Sequence, residues 1–289
     1  MRSREEYRRM AEEALEPQLR SLGNIPDRLL EAMLYSLTAG GKRLRPVMLL
    51  AACEMAGGSP EEALPFACAL EMIHTYSLIH DDLPGMDNDD LRRGRPTNHK
   101  VYGEGLAILA GDGLLNGAME LAMRAALRRQ DLLGLRAAEA LARHAGVTGM
   151  IAGQTLDVTM EGSEPTEELV SYIQIHKTSD LLQAPMEMGL ILAGCDERTV
   201  EAGREYGLRL GVAFQIVDDL LDVEGDPALM GKNTGMDEKK LTRVALRGVE
   251  GARKDAEELV QQALKALNQL PFETVFFEKL ALDSLSRVS

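Results

Sequence analysis

The chain has 289 residues, 45% of them hydrophobic and 27% charged, which is enough to bury one sizeable core. A formal net charge of −14 argues against nucleic acid as a partner, although cations gathered in one cleft would still admit a small anionic substrate. Aromatics make up only 4% and Trp is absent, while Ala, Leu, Met and Glu abound, so the composition favours helices over strands.

From the N-terminus, Met1–Met10 is too charged for a secretion signal. No uninterrupted apolar run reaches the length of a membrane span, so the cytoplasm is the default expectation. Apolar periodicity predicts helices over 27–38, 43–56, 62–82, 105–128, 132–146, 166–193 and 197–222. Ser59, Pro60 and Glu62 read as the N-cap, first-turn proline and capping-box partner of a helix running towards Asp82. Pro165 with Glu167 and Glu168 marks another start, and Asp226-Pro227 with Gly231 a further short helix. Cys53, Cys68 and Cys195 are widely spaced with no CxxC among them, so each reads as a small core residue. The expectation is an all-α bundle of about ten helices forming one domain over 1–289.

The segment Phe66–Leu83 is apolar on nearly every side and marks a central helix, so its Glu71, His74, Tyr76, Ser77 and His80 need partners or a cavity. This helix runs into Asp81 and Asp82, and Pro84-Gly85 ends it, which leaves Asp87 in the following loop. Carboxylates at a helix C-terminus meet the negative end of the macrodipole, so something cationic must offset them. A second apolar segment, Val212–Leu221, runs into Asp218, Asp219 and Asp222. Asp218 and Asp222 share a face with Gln215 one turn earlier, and like charges at that spacing repel.

Paired hard oxygen ligands of this kind suit magnesium or calcium, and magnesium takes one or two carboxylates, waters and substrate phosphate oxygens. A calcium EF-hand loop starting at Asp87 fails, because Arg92 stands at its glycine position and Asn98 at its final glutamate. Basic groups alternate with the acidic ones. Gly40-Gly41-Lys42-Arg43-Leu44-Arg45 lies where a helix begins, with Lys42 and Arg45 expected on one face. Arg92, Arg93, Arg95 and Lys100 follow the first aspartate loop, and Lys177-Thr178 and Gly231-Lys232 add two more sites. The pattern fits diphosphate heads at the rim of an apolar interior.

At these residues the chain resembles the trans-prenyltransferases, the polyprenyl synthetases. The block EMIHTYSLIHDDLPGMDNDDLRRGRPTNHKVYGEGLAILAGD (71–112) looks like the bacterial form, with two extra residues inside the first aspartate motif. FQIVDDLLD (214–222) looks like the second motif, and GGKRLRP, GQTLDV, HKT and GK fall in family order. The resemblance implies the isoprenoid synthase fold around a deep central cavity, a homodimer, and isoprenoid diphosphates as substrates. It also implies Asp81, Asp82, Asp87, Asp218, Asp219 and Asp222 as ligands of magnesium, three ions with substrate bound.

Arg92, Lys177, Thr178, Gln215 and Lys232 would contact the allylic diphosphate, with Gln154 and Asp157 lining its cavity. Gly41, Lys42, Arg45, His74 and Arg93 would bind isopentenyl diphosphate. Asp81, Asp82, Asp87, Lys177 and Asp218 would carry the catalysis, and Lys240 aligns with a later diphosphate-binding lysine across a segment about two residues short. Tyr76, five positions before the first aspartate and about 7.5 Å below it along the helix, would set product length with its neighbour Ser77. A large aromatic there resembles bacterial farnesyl synthases, and geranylgeranyl diphosphate is the alternative product.

Two other classes compete. Glu71-Met-Ile-His74 is a Glu-x-x-His element of the kind used by di-iron carboxylate bundles, but no second such element accompanies it. A non-catalytic subunit of a synthase heteromer would be expected to lose aspartates from one motif, and both are intact here.

Overall fold

A computed structural model describes residues 1–224 and 240–285. These are almost entirely helical, as the composition predicts, with one two-residue β-ribbon. The chain divides into two compact units, the first being Met1–Glu139 with Ile191–Gly194, the second Ala140–Leu190 with Cys195–Ser289.

The first unit is built around α4 (Pro60–Asp81). Ser59 caps it, its hydroxyl accepting from the Glu62 backbone N–H at 3.3 Å, and Pro60 starts it. The expected capping box is only half formed, because the Glu62 carboxylate turns to Arg129, 2.8 Å away. From Phe66 to Ile79 nearly every α4 side chain is buried, so the helix has no solvent face and needs neighbours all round. They are α1 (Arg4–Arg20), α2 (Asp27–Leu37), α3 (Leu44–Met55) and α6 (Glu104–Arg129). α1 lies in a stretch with no predicted element: its apolar contacts reduce to Tyr7, Ala11, Leu15 and Leu19, one residue per turn on a strongly charged helix. The short α5 (Asn98–Tyr102) precedes α6. By length and composition α6 would reach across a membrane, although Asp112 and Glu120 interrupt its apolar run. Its Ala107, Ala110, Leu114, Ala118, Leu121 and Ala125 are nevertheless buried, and a core helix passes the same test.

α7 (Leu132–Ala145) leads to α8 (Met150–Thr159) and α9 (Glu167–Ile173). Thr166 caps α9 by accepting from the Leu169 N–H. The predicted helix over 166–193 is interrupted: Gln174–Ser179 widen into a π-helical turn before α10 (Asp180–Leu192). α11 (Glu197–Glu224) packs along α12 (Arg243–Leu267), where Val212, Ile216, Val217, Leu220, Ala252 and Ala256 form the core of the second unit. α13 (Val275–Leu285) closes that side, and the buried Tyr206 hydroxyl donates to the Phe277 carbonyl at 2.8 Å. The helix expected at Asp226-Pro227 to Gly231 lies outside the described residues.

Candidate active site

In the first unit, α4 ends at Asp81 and Asp82 is its C-cap, as the Pro84-Gly85 signal predicts. The Asp87 N–H donates to the Asp81 carbonyl at 2.8 Å, which folds the acidic loop back onto the helix end. Asp81 and Asp87 are half-buried. Asp82 is 4% exposed, and its Oδ1 accepts from Arg92 Nε at 2.7 Å, while the same guanidinium holds Asp89 at 3.0 Å. Burial pushes the Asp82 carboxyl up to about 6, and Arg92 limits the rise. The offsetting cation that the helix dipole demanded is therefore Arg92.

A hairpin aims the next arginine. Leu91–Arg92 pairs with Arg95–Pro96, and both loop residues, Arg93 (φ 54°) and Gly94 (φ 73°), adopt the left-handed region of a type I′ turn. Arg93 then donates to the Gly40 carbonyl. Gly41 has a φ of +118°, a backbone conformation that favours glycine, and a Cβ there would stand 2.8 Å from Arg93 Cζ and displace the guanidinium. α3 begins only at Leu44, with Arg43 as a left-handed N-cap (φ 47°) and Lys42 exposed ahead of it. Lys42 and Arg45 therefore do not share a helix face.

The same cap brings in a residue that spacing does not single out. Arg43 is 3% exposed, and it donates to Glu71 Oε1 at 2.7 Å and to the Leu37 carbonyl at 2.7 Å. Glu71 thus finds the partner its apolar helix required, and the pairing also removes it as a di-iron ligand. Burial and the charges of Arg45, Arg93, Arg92 and Arg43 hold His74 neutral, its pKa well below the usual histidine range. Burial likewise lowers the Arg93 pKa, and Arg43 and Arg92 add to that. Four guanidinium groups around one neutral imidazole form a site that welcomes an anion. Tyr76 is buried, its ring edge-on to His80 at 5.7 Å, and its hydroxyl has no hydrogen-bond partner among the described residues. Ser77 bonds back to the His74 carbonyl at 3.0 Å.

In the second unit a pocket is lined by Asp157, Gln174, Lys177, Thr178, Gln215, Asp219 and Lys240, with Ile173, Leu241 and Thr242. The π-turn makes this gathering possible. It adds a residue to the turn and swings Lys177 and Thr178 together towards α8 and α11. Lys177 pairs with Asp157, and Thr178 donates to Gln215 Oε1 at 2.5 Å. α8 lies so close that a Cβ on Gly153 would stand 2.1 Å from the Lys177 backbone nitrogen. Gln154 is half-buried one turn before Asp157 on α8. Lys232 lies outside the described residues.

The second aspartate triplet divides like the first. Asp218 is half-buried, whereas Asp219 is buried and engaged through both oxygens, by Gln215 Nε2 at 2.8 Å and by Gln174 Nε2 and the Arg243 N–H at 3.5 and 3.4 Å. Arg243, a buried arginine with no sequence signal, ties Gln174, Ser171 and Glu167 to this corner. Asp222 is buried, and its Oδ1 has no hydrogen-bond partner among the described residues. A buried carboxylate oxygen left without a donor, one helical turn from a second carboxylate, fits a hard divalent cation. Among the described residues no three acidic, His or Cys side chains gather into a ready metal cage. Magnesium needs none, since it completes its octahedron with water and phosphate oxygens.

Described residues that are almost entirely helical, with two apolar helices running into aspartates, an arginine-lined anion site and a lysine–threonine pocket, define an isoprenoid synthase. Residues 26–271 match the family model described as polyprenyl synthetase, and the chain belongs to that family. Its activity is that of a trans-prenyl diphosphate synthase. It is 50% identical over 231 residues to the farnesyl diphosphate synthase of Geobacillus stearothermophilus, covering 79% of this chain and 78% of that one. With the geranylgeranyl diphosphate synthase of Cyanophora paradoxa it shares 46% over 261 residues, covering 89% and 84%. The fold matches a crystal structure of the Helicobacter pylori geranyltransferase complexed with magnesium and isoprenyl diphosphate. The TM-score is 0.84 and the identity 33%, over 99% of this chain and 97% of that one.

Proposed function

We propose that this enzyme condenses isopentenyl diphosphate with dimethylallyl and then geranyl diphosphate, and that farnesyl diphosphate is its main product. The observation that carries the reading is Tyr76, a buried aromatic five residues before Asp81 on the central helix. Lys177, Thr178, Gln215, Lys240 and Arg92 would hold the allylic diphosphate, and Lys232 would join them. Gln154 and Asp157 would line its cavity. Gly41, Lys42, Arg45, His74 and Arg93 would hold isopentenyl diphosphate. The allylic C–O bond ionises, the isopentenyl double bond attacks the cation, and a proton leaves to the departing diphosphate. Apolar helices keep water from the cation. Magnesium, when bound, supplies positive charge to the leaving diphosphate. Asp81, Asp87, Asp218 and Asp222 would hold it, whereas Asp82 and Asp219 would orient Arg92 and Gln215.

Incubation with isopentenyl and dimethylallyl diphosphates should give mainly a C15 product, read by chromatography of the dephosphorylated alcohols. Tyr76→Ala, checked for folding because truncating a packed aromatic costs about 3–5 kcal/mol, should shift the main product to C20 or longer. A folded variant still stopping at C15 would move the chain-length role elsewhere. Similarity to the Cyanophora geranylgeranyl synthase favours the second reading, and a wild-type C20 product would establish it.

We also infer that the two units act as one polyprenyl synthetase domain in the cytoplasm and that the chain works as a homodimer. α6 carries Leu109, Met123 and Leu127 on one exposed stripe, Leu127 being 71% exposed, and a second copy would cover them. Sedimentation should give twice the chain mass of 31.6 kDa. Leu127→Glu should shift it towards the monomer, and a wild-type monomer would discard the dimer.

A further inference from the structure

The second unit contains a buried acid–base cluster that no step above uses. His144, near the end of α7, is 2% exposed. Its Nδ1 lies 2.7 Å from Asp180 Oδ1 and its Nε2 lies 2.8 Å from Glu187 Oε2. A neutral imidazole has one N–H and one lone pair, whereas ionised carboxylates only accept. With a carboxylate at each ring nitrogen, the doubly protonated ring alone satisfies both contacts. Burial opposes that charge, but Asp180 and Glu187 outweigh it and hold the His144 pKa above the usual histidine value.

The cluster reaches the substrate pocket in two steps. Asp180 is the residue at which the π-turn gives way to α10, and its second oxygen lies 2.8 Å from His176 Nδ1. His176 directly precedes Lys177 in the π-turn, and its ring packs on Tyr172 at 4.3 Å. The remaining groups around the chain are Gln183, which donates to Asp180 at 3.5 Å, Arg143, which donates to Glu187 at 2.5 Å, and Arg204 of α11, whose charge reaches Glu187. A π-turn is an uncommon backbone state that persists only where its surroundings enforce it. Here Gly153 presses on one side, and the His144–Asp180–His176 chain ties the other.

We propose that His144 is a positioning residue, a buried imidazolium that holds the π-turn through Asp180 and His176 and so aims Lys177 and Thr178 at the allylic diphosphate. This rests on the reading that Lys177 and Thr178 touch that substrate. The charged ring stabilises the fold fully below about pH 6.5, and that contribution fades as pH rises through the folded-state pKa, because the deprotonated ring leaves a carboxylate facing a lone pair. Turnover then acquires an alkaline limb set by a group that never meets substrate.

The test combines NMR of 15N-histidine-labelled protein with kinetics in magnesium. His144, assigned by its loss in His144→Gln, should show the two equivalent protonated nitrogens of an imidazolium at pH 7.5. His144→Gln should lower kcat/KM for dimethylallyl diphosphate about 10- to 100-fold, leave KM for isopentenyl diphosphate within about twofold, and lack the alkaline limb. A neutral His144 tautomer at pH 7, or wild-type kinetics in His144→Gln, overturns the proposal. Lys177→Ala separates the two readings. If it retains wild-type rates, the assignment of the pocket falls; if it is impaired while His144→Gln is not, only the role of His144 falls. Should His144→Gln not fold, the wild-type NMR pattern and the same kinetics on His176→Gln decide in its place.

Discussion

Asp218→Ala and Asp81→Ala should each lower kcat by about 10³-fold or more at saturating magnesium while leaving the fold intact. The two carboxylates lie half-buried at or near the ends of apolar helices, Asp81 at a C-terminus where the macrodipole is negative and Asp218 one turn from Asp222. Truncating either side chain leaves the apolar packing of its helix in place, so the thermal midpoint should stay close to that of the wild type. The reaction loses the cation that neutralises the leaving diphosphate. An effect of several kcal/mol on the barrier, of which about 4 kcal/mol is 10³-fold, is the expected scale. Asp219→Ala should behave differently, because its oxygens hold Gln215, Gln174 and the Arg243 N–H. It should weaken allylic binding and lower stability together. Steady-state assays over a magnesium titration, beside thermal melts, separate the cases. A rate within tenfold of wild type in either Asp218→Ala or Asp81→Ala would end the two-motif mechanism.

Glu71→Gln should cost roughly 3–5 kcal/mol of stability, because it strands the Arg43 guanidinium in the core. Both side chains are almost wholly enclosed, at 3% and 2% exposure, and four cationic or imidazole side chains stand near. Removing the carboxylate takes away the buried counter-charge at 2.7 Å and leaves Arg43 beside Arg45, Arg92 and Arg93 with the part-exposed Glu12, 3.7 Å from its Nε. The double replacement Arg43→Met with Glu71→Leu should recover much of the loss, since packed apolar residues substitute well for a buried ion pair. Isopentenyl diphosphate binding should suffer in the double variant all the same, because the loop that carries Gly41 and Lys42 loses its anchor. Urea midpoints measure the first effect and KM the second. A single-variant loss under about 1 kcal/mol would mean that water or a rearranged partner already compensates Arg43.

Local signals carried far in this chain. The helix ending at Asp81 was legible from Ser59-Pro60 at one end and Pro84-Gly85 at the other, because caps and breakers act within a turn of their own residues. The boundaries of α2, α3, α4, α6, α7 and α11 followed from apolar periodicity, since each buries a stripe or a whole surface. Both aspartate sets and the neighbouring basic clusters could be read for the same reason: charges placed against the helix dipole and against each other stand out as locally unfavourable. The charged α1 did not stand out, because one apolar residue per turn leaves too weak a period.

Long-range pairing decided the rest. Spacing showed that Glu71 needed a partner but not which of the clustered arginines and lysines would supply it; the left-handed cap at Arg43 made that choice. Within each aspartate pair the two residues are chemically identical, and only packing buries Asp82 against Arg92 and Asp219 against Gln215 while leaving Asp81 and Asp218 nearer the surface. The π-turn has no composition of its own. It exists because Gly153 admits the backbone of α8 from one side and Asp180 gathers His144 and His176 on the other; Gly153 against Lys177 and His144 against Asp180 join residues more than twenty positions apart, which no periodic pattern encodes.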